Sequence, residues 1–273
     1  MERNRRPRSS HDGCCNLRFL TVIVYFFNFL HFVCSLTLGL LFLWTFYFKW
    51  YFVALLPSYR YVQIATFCAI LSVLLLGTFL FGYLALNKER PQLTAIYTLL
   101  LVIILLVECG TCLMAYSYYE QVALDLKSSL ITSLIRDHSL VENISDAFRD
   151  LHRLGKCCGV FSFEDWRNSL WWQNVNDVQS GVTRGFDLIV PDFCCQTVIN
   201  DCGQSDHPSN IYYNGCLSFL IRSVQEGLFV IATTTLAVSF VQLLGACFTT
   251  CFYQQMKRLL NVKRMVYNYN NAF

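Results

Sequence analysis

Long hydrophobic stretches separated by polar segments dominate this chain. Four of them, at residues 19–46, 61–86, 93–116 and 228–252, contain one charged side chain between them, Glu108. Each exceeds the roughly 20 residues that an α-helix needs to cross the hydrocarbon core of a bilayer. The first stretch is also too long for the apolar core of a cleavable signal peptide. The pattern predicts an all-α membrane protein with four transmembrane helices.

Basic residues are unevenly distributed between the segments that join these spans. The tail 1–18, the turn 87–92 and the tail 253–273 carry eleven basic and three acidic residues, whereas the loop 117–227 carries eight and fourteen. Basic segments beside spans stay in the cytosol. We therefore expect both termini to be cytoplasmic in a multi-pass plasma-membrane protein. Residues 47–60 then form a small extracellular loop, and 117–227 a large one.

The composition narrows the class of function. Of 273 residues, 55% are hydrophobic and only 14% are charged, which is too apolar for a soluble domain. We find no nucleophile elbow, no phosphate-binding loop and no metal-binding motif, and nothing indicates nucleic-acid binding. The sequence predicts neither an enzyme nor a metalloprotein, and no cofactor beyond a bound lipid.

The fourteen cysteines form two groups. Six lie in the large loop, where an even number in an oxidising compartment favours three disulfide bonds over a zinc site. Fifteen pairings are open at this point. Of the other eight, four lie at the predicted cytosolic ends of spans one and four, and they are candidates for S-palmitoylation or simple packing residues: Cys14, Cys15, Cys247 and Cys251.

The large loop shows its own helical pattern. A stripe of apolar residues at helical spacing extends the third span outward: Val122, Leu126, Leu130 and Leu134. Residues 144–154 predict a second helix with Phe148, Leu151 and Leu154 on one face. Asn143 begins an N-glycosylation sequon. Trp171 and Trp172 belong to an aromatic-rich segment, in which they either pack in the core or face a protein partner.

The motif Cys157-Cys158-Gly159, followed by Pro191-Asp-Phe-Cys-Cys195 and Gly215-Cys216, resembles the tetraspanins. Four spans and a large second loop are similar to that family along nearly the whole chain. The resemblance implies three disulfide bonds: Cys157–Cys216, Cys158–Cys194 and Cys195–Cys202. It also implies a disulfide-stapled helical extracellular loop and a scaffold role without catalysis.

Within the family, the loop is most similar to the six-cysteine type that associates with laminin-binding integrins. The resemblance implies a partner contact at Gln204, Ser205 and Asp206. The integrin-associated type has Gln-Arg-Asp at these positions. This chain has serine in place of the arginine and so lacks a charged, multidentate donor there. The implied partners are membrane receptors such as integrins, other tetraspanins and membrane lipids.

Polar residues interrupt three of the spans: Asn28, Glu108 and Gln242. They match positions at which the family places polar residues, and the family implies a lipid pocket there, for cholesterol or a similar molecule. Helical rise puts Asn28 and Gln242 at the same depth, about 15 Å from the cytosolic end. We expect these two side chains to contact each other, with Glu108 satisfied separately or facing a sterol. Small residues, among them Gly39, Gly77 and Gly82, favour close packing of the first two spans.

The resemblance therefore implies a membrane scaffold that associates laterally with receptors and affects adhesion, signalling or trafficking. Tyr253-Gln-Gln-Met256 fits a tyrosine-based sorting signal, which would add endosomal localisation. A peripherin-like, membrane-shaping homo-oligomer is the main alternative. Such a protein would favour an additional, unpaired loop cysteine for an intermolecular disulfide, whereas the count here is even. A channel or transporter would need more polar positions in the spans. A claudin-like protein would have its large loop after the first span.

Overall fold

A computed structural model describes residues 17–178, 190–203 and 210–271. Its described part is helical, with two isolated β-bridges and no strand. Six α-helices follow in chain order: α1 (Leu17–Lys49), α2 (Arg60–Asn87), α3 (Pro91–Ile135), α4 (Glu142–Gly155), α5 (Leu170–Val178) and α6 (Leu217–Asn270). Four 3-10 turns lie at Trp50–Leu55, Asp137–Ser139, Phe163–Asn168 and Asp192–Cys194.

Four of these helices, α1, α2, α3 and α6, are long and apolar enough to cross a membrane. Large apolar side chains such as Phe26, Val73 and Leu106 are exposed along them. Such exposure suits a lipid environment, because a soluble protein rarely exposes a continuous apolar surface of this size. The chain is an all-α membrane protein with four spans and a disulfide-bonded loop between the third and the fourth.

The chain divides into two compact units. The first comprises residues 1–40, 68–111 and 234–273. Its centre is a cluster of buried aliphatic side chains: Leu38, Leu71, Leu75, Ile104 and Val238. Ser35 and Ser72 exchange hydrogen bonds, each hydroxyl donating to the other's carbonyl oxygen at 2.9 Å.

Two of the predicted small residues explain this close approach of α1 and α2. A Cβ atom on Gly39 would lie 2.9 Å from Ser72 Oγ, and one on Gly82 would lie 2.5 Å from Asn28 Oδ1. Gly77 differs from the expectation, since nothing lies within 4 Å of its missing Cβ. Gly77 and Gly82 lie five residues apart on α2, about 140° apart around its axis, so they face different surroundings.

The second unit comprises residues 41–67 and 112–233. The predicted outward extension of the third span is confirmed, because α3 runs without a break to Ile135 and buries all four stripe residues: Val122, Leu126, Leu130 and Leu134. The Trp50–Leu55 turn packs against α4 and buries Phe52 and Leu55 completely. This unit contains the cysteine-rich region.

The predicted second helix is also present as α4, but its buried face differs from the prediction. Phe148 and Leu151 are buried, together with Ala147 and His152, whereas Leu154 is 58% exposed. His152 lies four residues after Phe148 and therefore on the same face, whereas Leu154 lies six residues after Phe148, about 120° away around the helix axis. Hydrophobicity alone favoured the leucine over the histidine.

Candidate functional site

The cysteine pair lies in a tight turn directly after α4. Lys156 ends the helix in a left-handed conformation, with φ 48°. Gly159 has φ +75°, and a Cβ atom there would lie 1.9 Å from the Ser162 carbonyl oxygen. Such a conformation with such a neighbour admits only glycine. The backbone therefore requires glycine at the last position of the Cys-Cys-Gly sequence.

Asp165 fixes the segment that follows this turn. Its Oδ2 atom accepts backbone N–H groups from Val160, Phe161 and Ser162 at 3.0, 2.6 and 3.1 Å. Hydrogen bonds to a carboxylate are stronger than those between neutral groups, and three of them specify one loop conformation. The Asp165 side chain is thus the anchor of residues 160–162.

Residues 158–162 also pair with the segment that enters α6. Cys158 donates its N–H to the Asn214 carbonyl at 2.8 Å, and Gly215 donates to the Phe161 carbonyl at 3.1 Å. A Cβ atom on Gly215 would lie 2.2 Å from the Val160 carbonyl oxygen, so the two backbones approach too closely for any side chain. The turn and the start of α6 form one rigid junction.

His152 supports the same turn from beneath and was not singled out by the sequence. Its Nδ1–H donates to the Phe148 carbonyl at 2.7 Å, and its Nε2 accepts the Gly159 N–H at 3.0 Å. The ring is therefore neutral, with its proton on Nδ1. Burial lowers the pKa of His152 to about 3, against the opposite effect of the Phe148 hydrogen bond. A histidine on the apolar stripe of an amphipathic helix was the available sequence signal.

An aromatic cluster surrounds His152. The Trp166 ring, fully buried, lies 5.0 Å from the His138 ring and 5.8 Å from Phe193, centroid to centroid. His138 is buried as well, and its Nδ1 has no hydrogen-bond partner among the described residues. Burial, and then the charge of Arg149, lower the pKa of His138 to about 4. Both imidazoles act as neutral packing groups at pH 7.

Three disulfide bonds join the six loop cysteines: Cys157–Cys216, Cys158–Cys194 and Cys195–Cys202. These are the pairs that the family resemblance implies. The adjacent cysteines connect the same turn to two different segments, one entering α6 and one in the 3-10 turn at residues 192–194. Adjacent cysteines thereby tie three parts of the loop together at one point.

Two groups of potential metal ligands contain these cysteines: His152 with Cys158 and Cys194, and Asp192 with Cys195 and Cys202. Every sulfur in them belongs to a disulfide and is not a thiolate, the form that binds metal. Asp192 already accepts the N–H groups of Asp201 and Gly203 at 3.0 and 3.1 Å. Both groups are structural in the oxidised loop.

The predicted contact residues Gln204, Ser205 and Asp206 lie outside the described residues. The chain on both sides of them is firmly placed. Gly203 donates one hydrogen bond to Asp192 and accepts one from Val190 N–H, and the Asn210 carbonyl accepts the Gln196 N–H at 2.6 Å. The Cys195–Cys202 bond links the residue before Gly203 to the residue before Gln196.

The six residues that this bond encloses present an apolar pair that the sequence reasoning missed. Val198 and Ile199 are 62% and 60% exposed. A closed loop of this length has no room to bury two branched side chains, and this was the signal available in Cys195-Gln-Thr-Val-Ile-Asn-Asp-Cys202. Exposed apolar side chains on a rigid loop are typical of protein contacts.

The other residues predicted in the large loop are placed as follows. Trp171 is half-buried, with its ring 5.6 Å from that of Trp166 in an edge-to-face arrangement. Trp172 is also half-buried, and its backbone N–H donates to Ser169 Oγ. Only part of each tryptophan ring is therefore accessible to a protein partner. Asn143 is exposed in the first turn of α4, where a glycan would meet solvent.

Each of the three polar residues that interrupt the spans makes at least one hydrogen bond. Asn28 Nδ2 donates to the Phe79 carbonyl at 3.2 Å, and its Oδ1 accepts the Tyr97 hydroxyl at 3.1 Å. Gln242 Nε2 donates to the Leu101 carbonyl at 3.0 Å. Glu108 Oε2 accepts the Ser239 hydroxyl at 3.1 Å.

The expected Asn28–Gln242 contact is wrong, because each side chain binds another group. Both polar atoms of Asn28 are used by α2 and α3, and Gln242 binds the backbone of α3. Tyr97, which also lies 3.2 Å from His31 Nδ1, takes the place of Gln242. Equal depth in the membrane permits a contact, but the direction of each side chain around its helix decides the partner.

The predicted modification and sorting residues lie on or before the long terminal helices. Cys14 and Cys15 are outside the described residues. Cys247 and Cys251 are exposed on α6, so an acyl chain can be attached to either without displacing a neighbour. Tyr253 is half-buried, and Met256 is buried against Leu20, Val24, Leu86 and Phe252.

A family comparison matches this architecture. The tetraspanin family model covers residues 20–255. The chain belongs to the tetraspanin family. CD151 antigens of Rattus norvegicus and Mus musculus are each 32% identical to this tetraspanin over 247 residues, which is 89% of this chain and 94% of theirs. Tetraspanin-11 of Homo sapiens is 29% identical over 244 residues, 88% of this chain and 93% of that relative.

Family membership and geometry together give the coarse function. Tetraspanins of this group are scaffold proteins without enzymatic activity, so this tetraspanin is a non-enzymatic, multi-pass membrane scaffold. The disulfide-bonded turn, Asp165 and His152 serve to hold the loop rigid. Its specificity therefore depends on surfaces that this framework presents.

Proposed function

We propose that this tetraspanin gathers adhesion receptors, integrins among them, laterally in the plasma membrane. Its contact surface is the Cys195–Cys202 loop with the adjoining Gln204–Asp206 segment. The exposed pair Val198 and Ile199 carries the proposal, because a rigid loop that presents two apolar side chains is suited to bury them against a second protein. Both termini lie in the cytosol, since basic residues concentrate in the segments assigned there.

Capture of partners from cells tests the receptor proposal. The full chain is purified in mild detergent and its partners are identified by mass spectrometry, with Val198→Ser/Ile199→Ser as the variant. Leu154→Ser is the matched control, because Leu154 is 58% exposed but lies on α4, outside the contact loop. We expect the loop variant alone to lose the receptor. Recovery of only self-oligomers would instead support the peripherin-like alternative.

The missing arginine makes integrin binding separately testable. Ser205→Arg adds the charged donor of the integrin-associated sequence without changing the neighbouring Gln204 or Asp206. If this segment contacts an integrin, the variant should increase the captured integrin at equal expression. Unchanged capture would indicate that the Val198–Ile199 surface alone forms the contact.

We also propose that a sterol binds beside the polar residues of the first unit. Glu108 Oε1 and Gln242 Oε1 are buried without a hydrogen-bond partner among the described residues. A buried acceptor without a donor is costly, and a sterol hydroxyl supplies one. Photoreactive cholesterol should label the wild-type chain more strongly than Gln242→Leu, and equal labelling would contradict the site.

Acylation and sorting complete the proposal. Palmitoylation at Cys14, Cys15, Cys247 and Cys251 would concentrate the scaffold in particular membrane regions. An acyl-exchange assay on the Cys247→Ser/Cys251→Ser variant would measure how much of the total palmitoylation occurs at these two residues. Endosomal sorting through Tyr253 requires Met256 to leave its buried position, so Leu86→Ala, which loosens that packing, should increase internalisation if the signal operates.

A further inference from the structure

The C-terminal part of α6 continues as a helix where its packing ends. Met256 is the last buried residue in the described part of α6, at 7% exposure, within the cluster that contains Leu20 and Leu86. From Lys257 to Asn270 the chain remains helical, and every residue is exposed. We call Lys257–Asn270 the tail helix.

Half of the tail helix is apolar or aromatic. Seven of its fourteen residues are large hydrophobic side chains between 41% and 68% exposed: Leu259, Leu260, Val262, Met265, Val266, Tyr267 and Tyr269. A short helix with this much uncovered apolar surface is unstable in water, because helices of this length depend on packing of an apolar face. The tail helix therefore requires a surface that covers it.

Its polar residues are arranged as a basic amphipathic helix. Lys257, Asn261, Arg264 and Asn268 recur at intervals of four, three and four residues, which aligns them on one side. The opposite side presents Val262 and Val266, with Arg258 and Lys263 at its borders. Residues 253–273 contain four basic residues and no acidic one.

We infer that the tail helix binds the surface of an anionic phospholipid bilayer. Cations along a helix with a broad apolar face fit lipid headgroups on one side and acyl chains on the other. Tyr267 and Tyr269 add rings with a polar tip, which favour the boundary between headgroups and acyl chains. The adjoining apolar span already brings the helix to the membrane, so no separate binding event is needed.

A second copy of the chain is a poorer occupant. Two tail helices packed together would bring four positive charges against four others, with no carboxylate on either to compensate. An anionic bilayer supplies the missing negative charge at every contact. Charge complementarity thus selects the lipid surface over self-association.

Binding requires the tail helix to turn away from the axis of the span. Its fourteen residues are about 21 Å long at 1.5 Å per residue, so a straight extension would hold Tyr269 far beyond the headgroups. Residues 257–270 are all exposed, so no buried packing opposes such a turn. A bend between Met256 and Leu260 breaks hydrogen bonds of the helix and withdraws Leu260 and Lys263 from the pocket that they line with Leu17 and Glu89.

Full-length protein in nanodiscs tests this inference. A fluorescent amino acid replaces Val266, on the apolar side, or Asn268, on the polar side, and a neutral aqueous quencher measures its accessibility. The discs contain phosphatidylcholine alone or mixed with phosphatidylserine, with one chain per disc. We expect the probe at 266 to be protected at least fivefold more in the mixed discs, and the probe at 268 to remain accessible, since each basic contact contributes about fivefold.

Charge variants separate electrostatic attraction from simple insertion. Lys257→Gln/Arg258→Gln/Lys263→Gln/Arg264→Gln should abolish the difference between the two lipids, and so should high salt. The control Arg258→Lys/Arg264→Lys conserves charge and should behave as wild type. These residues are exposed, so the variants leave the buried packing intact.

Several results would overturn the inference. Equal quenching in both lipids would show that anionic headgroups are not recognised. Protection only with two chains per disc would identify a second copy, and protection only on adding calcium-loaded calmodulin would identify a protein partner. Receptor capture is measured independently on the Val198→Ser/Ile199→Ser variant, so failure of either proposal leaves the other standing.

Discussion

Acidification should open the large loop, because two buried histidines are neutral there. An unfolded histidine titrates near pH 6.5, whereas burial lowers the pKa of His138 to about 4 and that of His152 to about 3. Between these values the opened loop binds one proton more per histidine than the closed loop. The free energy of opening is therefore fully retained above pH 6.5 and falls as the pH decreases below it.

The magnitude follows from the proton balance. For each histidine, the free energy of opening the loop falls by about 1.4 kcal/mol per pH unit below about pH 6.5, which gives about 2 kcal/mol between about pH 7 and pH 5. If one opening event exposes both rings, the sum is about 4 kcal/mol. Both residues expose less than a tenth of their surface, so solvent screens this effect only weakly.

Hydrogen–deuterium exchange on the full chain, corrected for the intrinsic pH dependence, measures the opening free energy at residues 148–166. His138→Phe is the informative variant. It keeps the edge-to-face ring packing against Phe148 and Trp166 and removes one titrating group. We expect nearly unchanged protection at pH 7 and about half of the wild-type loss at pH 5. Equal opening free energies at both pH values in the wild type would refute the reasoning.

Three further predictions concern single contacts. Gly159→Ala should destabilise the loop by about 1–3 kcal/mol in a thermal unfolding assay, because φ is +75° and the new Cβ meets Ser162. Gly77→Ala is the control and should be neutral in that assay, since nothing lies within 4 Å of its new Cβ. A loss of stability at both sites would contradict the assignment. Asp165→Asn should increase proteolysis near residues 160–162, since a neutral amide oxygen replaces the carboxylate that accepts three N–H groups, at a cost of about 1–3 kcal/mol. Glu108→Gln keeps an acceptor for Ser239 without a buried charge, so this variant should unfold in detergent at the same temperature as the wild type or at a higher one. Ser239→Ala should lower the unfolding temperature. The reverse order would show that the charge stabilises the unit.

Sequence reasoning located the spans and the stapled loop because each has a local signature. A stretch of more than 20 apolar residues has one stable arrangement in a bilayer, and an apolar stripe such as Val122 to Leu134 has one buried side. Gly159 is likewise a local requirement, since only glycine tolerates its backbone conformation next to Ser162. Such features need no knowledge of distant residues.

Contacts between distant residues were decided by the tertiary structure. Asn28 binds Tyr97 and not Gln242, although depth in the membrane allows both, because direction around the helix axis selects the partner. His152, on the stripe where Leu154 was expected, is buried because its two nitrogens meet Phe148 and Gly159. The sequence by itself determined four spans, the six-cysteine loop and the basic tail. The tertiary structure decided which face of each helix is covered, and thereby left Val198, Ile199 and the tail helix exposed to other molecules.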